Sequence, residues 1–326
     1  MNRASGCDCS DRQDDDPSEH ARIAGLRLKE KGGRVDQWNG DIVHRSFEWM
    51  DGTRAGDFMH SVLKDIIARK HAEVARAREA VPVETLKERI SELGRTRNFF
   101  QACVDRRHPD ATHVIAEIKR KSPSAGLIRE DFDPVAIAKA YAANGASAIS
   151  CLTDEHDFGG RLEYIHQIRD AVKLPVLRKD FIVDLYQVWE SRAAGADAIL
   201  LIAEALPERD IIDFQILATE LGMTTLLEVH DVDHLLTALN IVGFPHASYS
   251  LLGINNRDLR TMKTKIEHCM RLAEMIEDTS VLVAESGIRT PDDLRRLRAH
   301  GIHIALVGEH LMRQPDPGLA LKQLLS

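Results

Sequence analysis

The sequence predicts an α/β protein whose fold is a (β/α)8 TIM barrel with extra helices ahead of the first strand. First, short β-branched runs alternate with amphipathic helical segments from His113 onward, which is typical of parallel strands joined by helices. Second, eight such units fit between His113 and Ser326, a length at which barrels of this class are complete. Third, a glycine follows the helical segment at several turns that lead into a strand, as expected of helix C-terminal caps. These glycines are Gly145, Gly195, Gly222 and Gly301.

An open, doubly wound sheet is the alternative architecture for alternating strands and helices. It predicts a glycine-rich nucleotide-binding loop, G-x-G-x-x-G, directly after the first strand. The turn at 121–126 instead reads KSPSAG and lacks that pattern. The barrel is therefore the preferred prediction.

Residues 1–55 differ from the rest of the chain. They combine a Ser/Asp-rich lead with a stretch broken by glycines, and they show little apolar periodicity. Such a composition predicts a polar, acidic, disordered arm, and residues 56–326 are predicted to form a single barrel domain. Cys7 and Cys9 have no second pair of ligands nearby, so no metal site is predicted there.

Residues 56–108 form a helical extension that precedes the barrel. Apolar residues at helical spacing predict a first helix, in which Lys64, Arg69, Lys70 and Glu73 occupy the interleaved polar positions. A second helix is predicted near Val83–Leu93, to be ended by Gly94, and a short third segment opens at 98–100. We expect these helices to cover the lower face of the barrel or to flank its mouth. The apolar positions of the first helix are Phe58, Val62, Leu63, Ile66 and Ile67.

The eight predicted strands are short apolar runs bounded by turn residues. They are His113–Lys119, Ser147–Thr153, Pro175–Phe181, Asp197–Glu204, Thr224–His230, Ser250–Asn255, Val281–Gly287 and His303–Gly308. Helical segments separate them, among which are Pro134–Asn144, Asp184–Ala194 and Pro291–His300.

Composition excludes several classes of function. The chain has 43 Lys and Arg against 51 Asp and Glu, and this net charge of −8 argues against non-specific binding to nucleic acid. No apolar run approaches the roughly 20 residues of a membrane helix, and the first residues match neither a secretion signal nor a transit peptide. The five cysteines do not form a disulfide framework, because they are odd in number and Cys103, Cys151 and Cys269 lie far apart in the chain. We therefore expect a cytoplasmic protein without membrane or nucleic-acid partners.

Polar residues at the carboxyl ends of the strands predict the active site, because barrels of this class carry it there. Residues two apart share a strand face, so Glu117 and Lys119 are predicted to point inward while Ala116 and Ile118 face the helices. Clustered lysines and glutamates shift one another's pKa values toward the range useful for acid–base chemistry. The further strand-end residues are Lys179, Glu228, Asn255 and Glu285.

Glycines in the last two loops predict a phosphate site. The seventh and eighth strands end in Ser286-Gly287 and Gly308-Glu309, and these two loops are the usual phosphate cradle of such barrels. Glycine lets backbone N–H groups approach an anion closely, and Arg257 supplies a guanidinium that can bind a phosphate through two hydrogen bonds.

Several stretches resemble the signature motifs of indole-3-glycerol-phosphate synthases, the (β/α)8 lyases of tryptophan biosynthesis. They are IAEIKRKSPS at 115–124, LPVLRKDF at 174–181, GINNRDL at 253–259 and AESGI at 284–288. LTDE at 152–155, FGG at 158–160 and the Phe99-Phe100 pair fit the same family. The resemblance spans roughly residues 57–323.

The resemblance implies a carboxy-lyase that acts on 1-(2-carboxyphenylamino)-1-deoxyribulose 5-phosphate. In that reaction a ring carbon attacks the ribulose carbonyl, CO2 leaves, and loss of water yields indole-3-glycerol phosphate, with no metal or cofactor required. By position, Lys179 matches the general acid of ring closure, and Lys119 matches the lysine that contacts the substrate carboxylate and could protonate a leaving hydroxyl. Which lysine serves which step stays open. Glu228 matches the acid–base partner of dehydration, and Glu117 is a second candidate base.

The remaining positions match supporting roles in that family. Asn255 and Glu285 would orient the substrate hydroxyls and the lysines, and Phe158 would pack on the anthranilate ring. The phosphate would be bound by Ser122, Arg257, Ser286, Gly287, Gly308 and the backbone of Glu309.

Two features depart from the family pattern. The segment Asn240–Tyr249 is longer than usual, and we expect no effect on catalysis because it lies on the stability face of the barrel. His310 stands where Ser or Ala is common, which puts one phosphate contact in question.

Two other functions remain as alternatives. Phosphoribosylanthranilate isomerase, a neighbouring phosphate-binding barrel, would require an inward Cys at the end of the first strand, where this chain has Glu117 and Lys119. A non-catalytic phosphosugar-binding or scaffold barrel would not need these residues together with Lys179 and Glu228. The predicted partner is the small phosphorylated substrate, and the acidic arm could contact a pathway enzyme.

Overall fold

A computed structural model describes residues 61–104, 111–242, 249–258 and 263–326. The strands are β1 (His113–Ile118), β2 (Lys121–Ser122), β3 (Gly126–Leu127), β4 (Ala148–Leu152), β5 (Val176–Lys179), β6 (Ala198–Ile202), β7 (Thr224–Val229), β8 (Ser250–Asn255), β9 (Leu282–Glu285) and β10 (Ile304–Val307). The helices before β5 are α1 (Ser61–Ala80), α2 (Val83–Glu92), α3 (Phe99–Cys103), α4 (Pro134–Ala143), α5 (Glu155–Phe158) and α6 (Glu163–Ala171). The later helices are α7 (Leu185–Ala193), α8 (Glu208–Glu220), α9 (Val232–Val242), α10 (Glu267–Ala273), α11 (Pro291–Ala299), α12 (Glu309–Met312) and α13 (Pro317–Leu324).

Eight parallel strands close into a barrel, as the sequence predicts. The order around it is β1-β10-β9-β8-β7-β6-β5-β4, and β4 pairs with β1 to complete the ring. The short antiparallel pair β2–β3 follows β1 and was not expected from the sequence. Every barrel strand ends at the same mouth, so side chains from distant parts of the chain meet there.

Successive side chains along each strand alternate between the barrel interior and the layer between strands and helices, and each of these regions forms a hydrophobic core. Ile115 and Leu177 point into the barrel, whereas Ala116 and Ile118 pack against the surrounding helices. This confirms the inward direction predicted for Glu117, which follows the parity of Ile115.

The N-terminal helices contact both ends of the barrel. Phe99 and Phe100 of α3 join the interior cluster and close its lower end. Val62, Leu63 and Ile66 of α1 instead line the cavity at the mouth. The sequence predicted that these helices would cover the lower face of the barrel or flank its mouth, and α3 and α1 do so, respectively.

Side-chain and glycine caps fix the ends of many helices. Asp133 accepts hydrogen bonds from the N–H groups of Val135 and Ala136, and Thr290 forms a capping box with Asp293. The predicted glycines adopt the left-handed conformation that C-terminal caps require, with positive φ at residues 145, 195, 222 and 301. Gly94 is the exception, because α2 stops at Glu92 when Leu93 turns extended (φ −81°, ψ 141°).

Several predicted strands extend one or two residues too far. Asp197 lies just before β6, and its carboxylate accepts hydrogen bonds from the N–H groups of Val176 and Arg97. Glu204 lies in a 3-10 turn, Ala203–Ala205. Ser286 has φ 65°, which ends β9 at the preceding residue.

The predictions for residues 1–55, Phe58 and most of Asn240–Tyr249 lie outside the described residues. Within the described ranges, no helix combines the length and apolar character needed to span a membrane.

Candidate active site

A cavity of about 450 Å³ opens at the carboxyl ends of the barrel strands. Every candidate residue selected from the sequence lines it. The predicted catalytic group is Glu117, Lys119, Lys179, Glu228, Asn255 and Glu285, and the predicted binding group is Ser122, Phe158, Arg257, Ser286, Gly287, Gly308 and Glu309.

Lys179 at the end of β5 lies among carboxylates on the cavity floor. Its Nζ is 2.9 Å from Glu228 Oε2 and 3.8 Å from Glu285 Oε2. Burial alone would lower the pKa of Lys179, but Glu228, Glu285 and Glu117 outweigh burial and raise that pKa above its ordinary value. Lys179 is therefore a protonated ammonium that can donate to an electronegative atom in the cavity.

The two carboxyl groups beside Lys179 have pKa values that are shifted in opposite directions. Despite its burial, the pKa of Glu228 is lowered to about 2, because Lys179 and His230 stabilise its charge. Burial, together with the Glu228 charge, raises the pKa of Glu285 well above the ordinary value. Asn255 Nδ2 donates to Glu228 Oε1 over 3.1 Å. The site thus holds one ionised carboxylate and one carboxyl group that retains its proton to higher pH.

Glu117 and Lys119 form a second pair on β1. Lys119 Nζ donates to Glu117 Oε1, and both side chains are largely buried. A Cβ at residue 308 would overlap this carboxylate and come within 2.8 Å of its Cδ. Glycine at 308 therefore provides the space that Glu117 occupies, in addition to its predicted role in the phosphate loop.

The loop after β9 has an unusual backbone. Ser286 (φ 65°) and Gly287 (φ 84°) are both left-handed, and such a φ is uncommon for a serine. Asn256 Nδ2 donates to the Ser286 carbonyl over 3.1 Å and holds the turn. Strain of this kind clusters at ligand-binding sites, and the phosphate contact of this loop stays a prediction.

Cationic side chains surround that loop. Arg257 Nη2 lies 3.5 Å from Glu309 Oε2, and Arg289 and Arg313 also line the cavity. The Glu309 carboxylate therefore faces one of the guanidinium groups that the sequence assigns to phosphate. His310, which departs from the family pattern, lines the same side.

The opposite wall of the cavity is apolar. Phe158 packs on Phe181 with ring centroids 6.0 Å apart, and α1 contributes Val62, Leu63 and Ile66. A cavity with an apolar wall, a charged floor and a cationic rim suits a ligand that combines an aromatic ring with a phosphate.

Lys70 anchors α1 beside this wall. Its Nζ lies 2.8 Å from Asp154 Oδ2 and 2.9 Å from Asp180 Oδ1, carboxylates that follow β4 and β5. Lys70 is only 4% exposed, although the sequence places it among the polar positions of the helix. Asp180 directly follows Lys179, so the anchor holds α1 at the end of the strand that carries the ammonium.

Sequence reasoning missed His230 and Lys70. His230 lies two residues after Glu228, so strand parity was a signal that could have placed it at the mouth. Lys70 gave no such signal, because its contact with Glu73 is ordinary for a helix surface and its two buried carboxylate partners are more than 80 residues away in sequence.

One cluster within the described ranges brings metal-ligand atoms together. Glu204, Asp231 and His234 have potential ligand atoms within 4.8 Å of one another. Their contacts already account for the arrangement, because Asp231 Oδ1 accepts from the His234 N–H at 2.9 Å and lies 2.8 Å from its Nδ1. We assign no ion to this cluster.

Comparisons with known proteins identify relatives of the chain. Residues 63–324 match the family model described as indole-3-glycerol phosphate synthase. The chain is 48% identical over 266 residues to an indole-3-glycerol phosphate synthase of Rhodopirellula baltica, covering 82% of this chain and 99% of that protein. The one from Laribacter hongkongensis is 45% identical over 269 residues, covering 82% of this chain and all of that protein. A crystal structure of 3-hexulose-6-phosphate synthase matches 65% of this chain and 97% of its own with a TM-score of 0.51, and at 13% identity it shows the fold alone.

Proposed function

Because the chain belongs to the indole-3-glycerol phosphate synthase family, we propose that it closes the indole ring of indole-3-glycerol phosphate in tryptophan biosynthesis. The substrate is 1-(2-carboxyphenylamino)-1-deoxyribulose 5-phosphate, and the enzyme is a carboxy-lyase. The protonated Lys179 beside Glu228 on the cavity floor carries the proposal, since ring closure needs a cation at the ribulose carbonyl. A reaction on a small phosphorylated metabolite fits the cytoplasmic location expected from the sequence.

Lys179 acts on the carbonyl oxygen during ring closure. The carboxylates that keep the lysine protonated also make it reluctant to release its proton. Its ammonium therefore first stabilises the negative charge that develops on that oxygen, and the proton follows as the oxygen becomes an alkoxide. Burial strengthens this interaction, because little water competes for the new charge.

Lys119 binds the substrate carboxylate and can protonate the hydroxyl that leaves during dehydration. Its contact with Glu117 holds the ammonium at the end of β1. A carboxylate held by Lys119 leaves as CO2 once the ring carbon has attacked. The Glu117 carboxylate, which accepts a hydrogen bond from Lys119, positions this lysine and is a second candidate base.

Glu228 removes the proton whose loss makes the new ring aromatic. Its low pKa keeps it ionised, and Asn255 and Lys179 fix its two oxygens. Asn255 and Glu285 orient the substrate hydroxyls above it. Product formation is completed by loss of water, for which Lys119 supplies the proton.

The phosphate and the aromatic ring anchor the two ends of the substrate. We assign the phosphate to Ser122, Arg257 and the backbone of the two glycine-containing loops, and the anthranilate ring to Phe158. Fixing both ends keeps the ring carbon close to the carbonyl. Binding energy thereby offsets a large part of the entropy that is lost when the two groups are brought together for cyclisation.

The test is a fluorescence assay of the purified protein with this substrate, following the indole product. Lys179→Ala should lower kcat by about 10³-fold while the protein stays folded, within the range expected for a general acid. The matched control is Lys173→Ala, an exposed lysine in the turn that precedes the same strand, which should keep wild-type activity. An active Lys179→Ala variant would refute the assigned role. A folded wild type that binds the substrate without turnover would instead favour a binding protein.

A further inference from the structure

We infer that His230 is a positioning residue, whose imidazolium bridges Glu204 and Glu228 and holds Glu228 ionised and aimed into the cavity. The inference rests on the function proposed above and adds a residue to its dehydration step. His230 follows β7 directly and lines the cavity beside Glu228.

The imidazole lies between two carboxylates. Its Nε2 is 3.3 Å from Glu228 Oε1, and its Nδ1 is 3.1 Å from Glu204 Oε2. The ring side chain is only 8% exposed, and Glu204 is similarly buried at 9%. Neither ring nitrogen is aligned for a hydrogen bond, so the two carboxylates favour the doubly protonated, cationic ring through their charge.

The backbone holds the ring in this position from both sides. The His230 N–H donates to Glu204 Oε1 over 2.7 Å, and the His230 carbonyl accepts a hydrogen bond from His268 Nε2, also over 2.7 Å. Glu204 thus contacts both the main chain and the ring of His230. Because β6 and β7 are neighbours, this fixes His230 relative to the barrel rather than to a loose loop.

The charges around the ring include some that raise the pKa of His230 and one that lowers it. Burial lowers the pKa of His230, but Glu204 and Glu228 outweigh burial and the opposing charge of Lys179, so the pKa is raised above the ordinary value. The surrounding elements contribute Glu204 after β6, Glu228 on β7, Lys179 on β5, Asp231 and His234 at the start of α9, and His268 on α10.

The arrangement explains how Glu228 is held on the side away from Lys179. Oε2 faces the ammonium at 2.9 Å, whereas Oε1 faces both Asn255 and the imidazole. Without the imidazolium, Oε1 would keep only the neutral amide, and the carboxylate could rotate toward Lys179. His230 therefore acts through Glu228 and does not touch the reacting atoms.

The raised pKa gives the pH dependence a definite sign. The imidazolium persists below the His230 pKa and is lost as the pH rises through it, so kcat should fall about fivefold on the alkaline side, because the positive charge beside Glu228 Oε1 is then gone. His230→Ala should lower kcat about 10-fold with KM within twofold, because substrate binding uses other residues. His230→Gln keeps an N–H donor near the position of Nε2, so it should recover part of the rate but lose this alkaline decrease.

The experiment measures kcat and KM from pH 6 to 9 for wild type, His230→Ala, His230→Gln and the control His234→Gln. His234 is the neighbouring histidine that approaches Glu204 at 3.6 Å but lies on the exposed side, so its variant should keep the wild-type profile. His230→Ala with wild-type kcat at every pH would overturn the inference. So would an unchanged alkaline decrease in His230→Gln.

NMR titration of the histidine rings tests the bridge independently of turnover. The His230 signal is the one lost in His230→Gln, and its pKa should fall in both Glu204→Gln and Glu228→Gln, since each removes a stabilising negative charge. A His230 pKa that does not move in either variant would overturn the inference even if His230→Ala is slow. If wild type makes no indole product, the proposed function fails, while this titration still decides whether His230 and Glu228 are coupled.

Discussion

Gly253 in the middle of β8 offers a sharp test of how tightly the site is packed. A Cβ at this position would overlap Glu285 Oε1, and it would lie 3.3 Å from Glu285 Cδ and 3.2 Å from Leu226 Cδ1. Glu285 is 1% exposed and lines the cavity beside Lys179. In Gly253→Ala the carboxyl group must therefore shift from its present place in the site.

From the structure we expect Gly253→Ala to have a small effect on stability and a larger effect on the rate. The Leu226 contact needs only a few tenths of an ångström of adjustment, and the main overlap is with the end of a flexible side chain, so we expect overpacking to cost about 1 kcal/mol. That corresponds to a Tm lowered by about 2–4 °C for a domain of this size. Restoring an ordinary contact moves the carboxyl oxygen by about 1 Å, and a displacement of that size in a catalytic group can lower the rate about 10²-fold.

The assay combines thermal unfolding with kcat and KM for wild type and Gly253→Ala. Gly94→Ala is the matched control, because a Cβ there meets nothing within 4 Å, and it should match wild type in both measurements. Adding Gly253→Ala to a Glu285→Ala background should cost little further activity, since the displaced group is already gone. A Gly253→Ala variant with kcat within threefold of wild type would refute the proposed positional constraint on Glu285. Full additivity in the double variant would show that the alanine acts through another residue.

Two further predictions concern buried charges. Lys70→Met should lower the free energy of unfolding by about 3 kcal/mol in urea denaturation, because it removes the buried cation beside the Asp154 carboxylate, while Asp180 keeps its contact with Arg178. The exposed Lys139→Met is its control, and an equal effect from both would contradict this role of Lys70. Glu285→Gln should be more stable than wild type at pH 8, with the difference vanishing at pH 4. The folded protein holds the Glu285 proton more tightly than the unfolded chain does. Wild type therefore loses stability as the pH rises from the ordinary carboxyl range through the raised pKa of Glu285. A difference between the two proteins in urea denaturation that does not change with pH would contradict that shift.

Strand periodicity predicted most of the candidate site. A parallel barrel brings every strand end to one mouth, so the chain positions of Lys179, Glu228 and Glu285 were enough to predict that they meet. Two-residue parity also gave the correct direction for Glu117. Tertiary interactions made the strand boundaries less accurate, as where the Asp197 side chain accepts a hydrogen bond from the Val176 N–H just before β6 begins.

Contacts between segments far apart in sequence could not be predicted in this way. Lys70 lies on the buried side of α1 because Asp154 and Asp180 compensate its charge, and nothing within the helix itself indicates that pairing. The opposite pKa shifts of Glu228 and Glu285 depend on which carboxylate lies nearer to Lys179, which requires distances rather than spacing. Sequence patterns identify the groups, but the division of protons among them is a property of the folded site.

The positions of these charges suggest why the two ends of the barrel can serve different purposes. At the lower end, Phe99 fills the interior and Arg97 donates to the carbonyls of Val172 and Leu174, so apolar burial and satisfied hydrogen bonds stabilise the fold there. At the mouth, a carboxyl group with a raised pKa and a serine at positive φ each cost stability that local contacts do not return. A substitution that relieves either cost should therefore stabilise the protein while slowing the reaction. The opposite pattern, in which Glu285→Gln loses both stability and activity at pH 8, would mean that this carboxyl group also holds the barrel together.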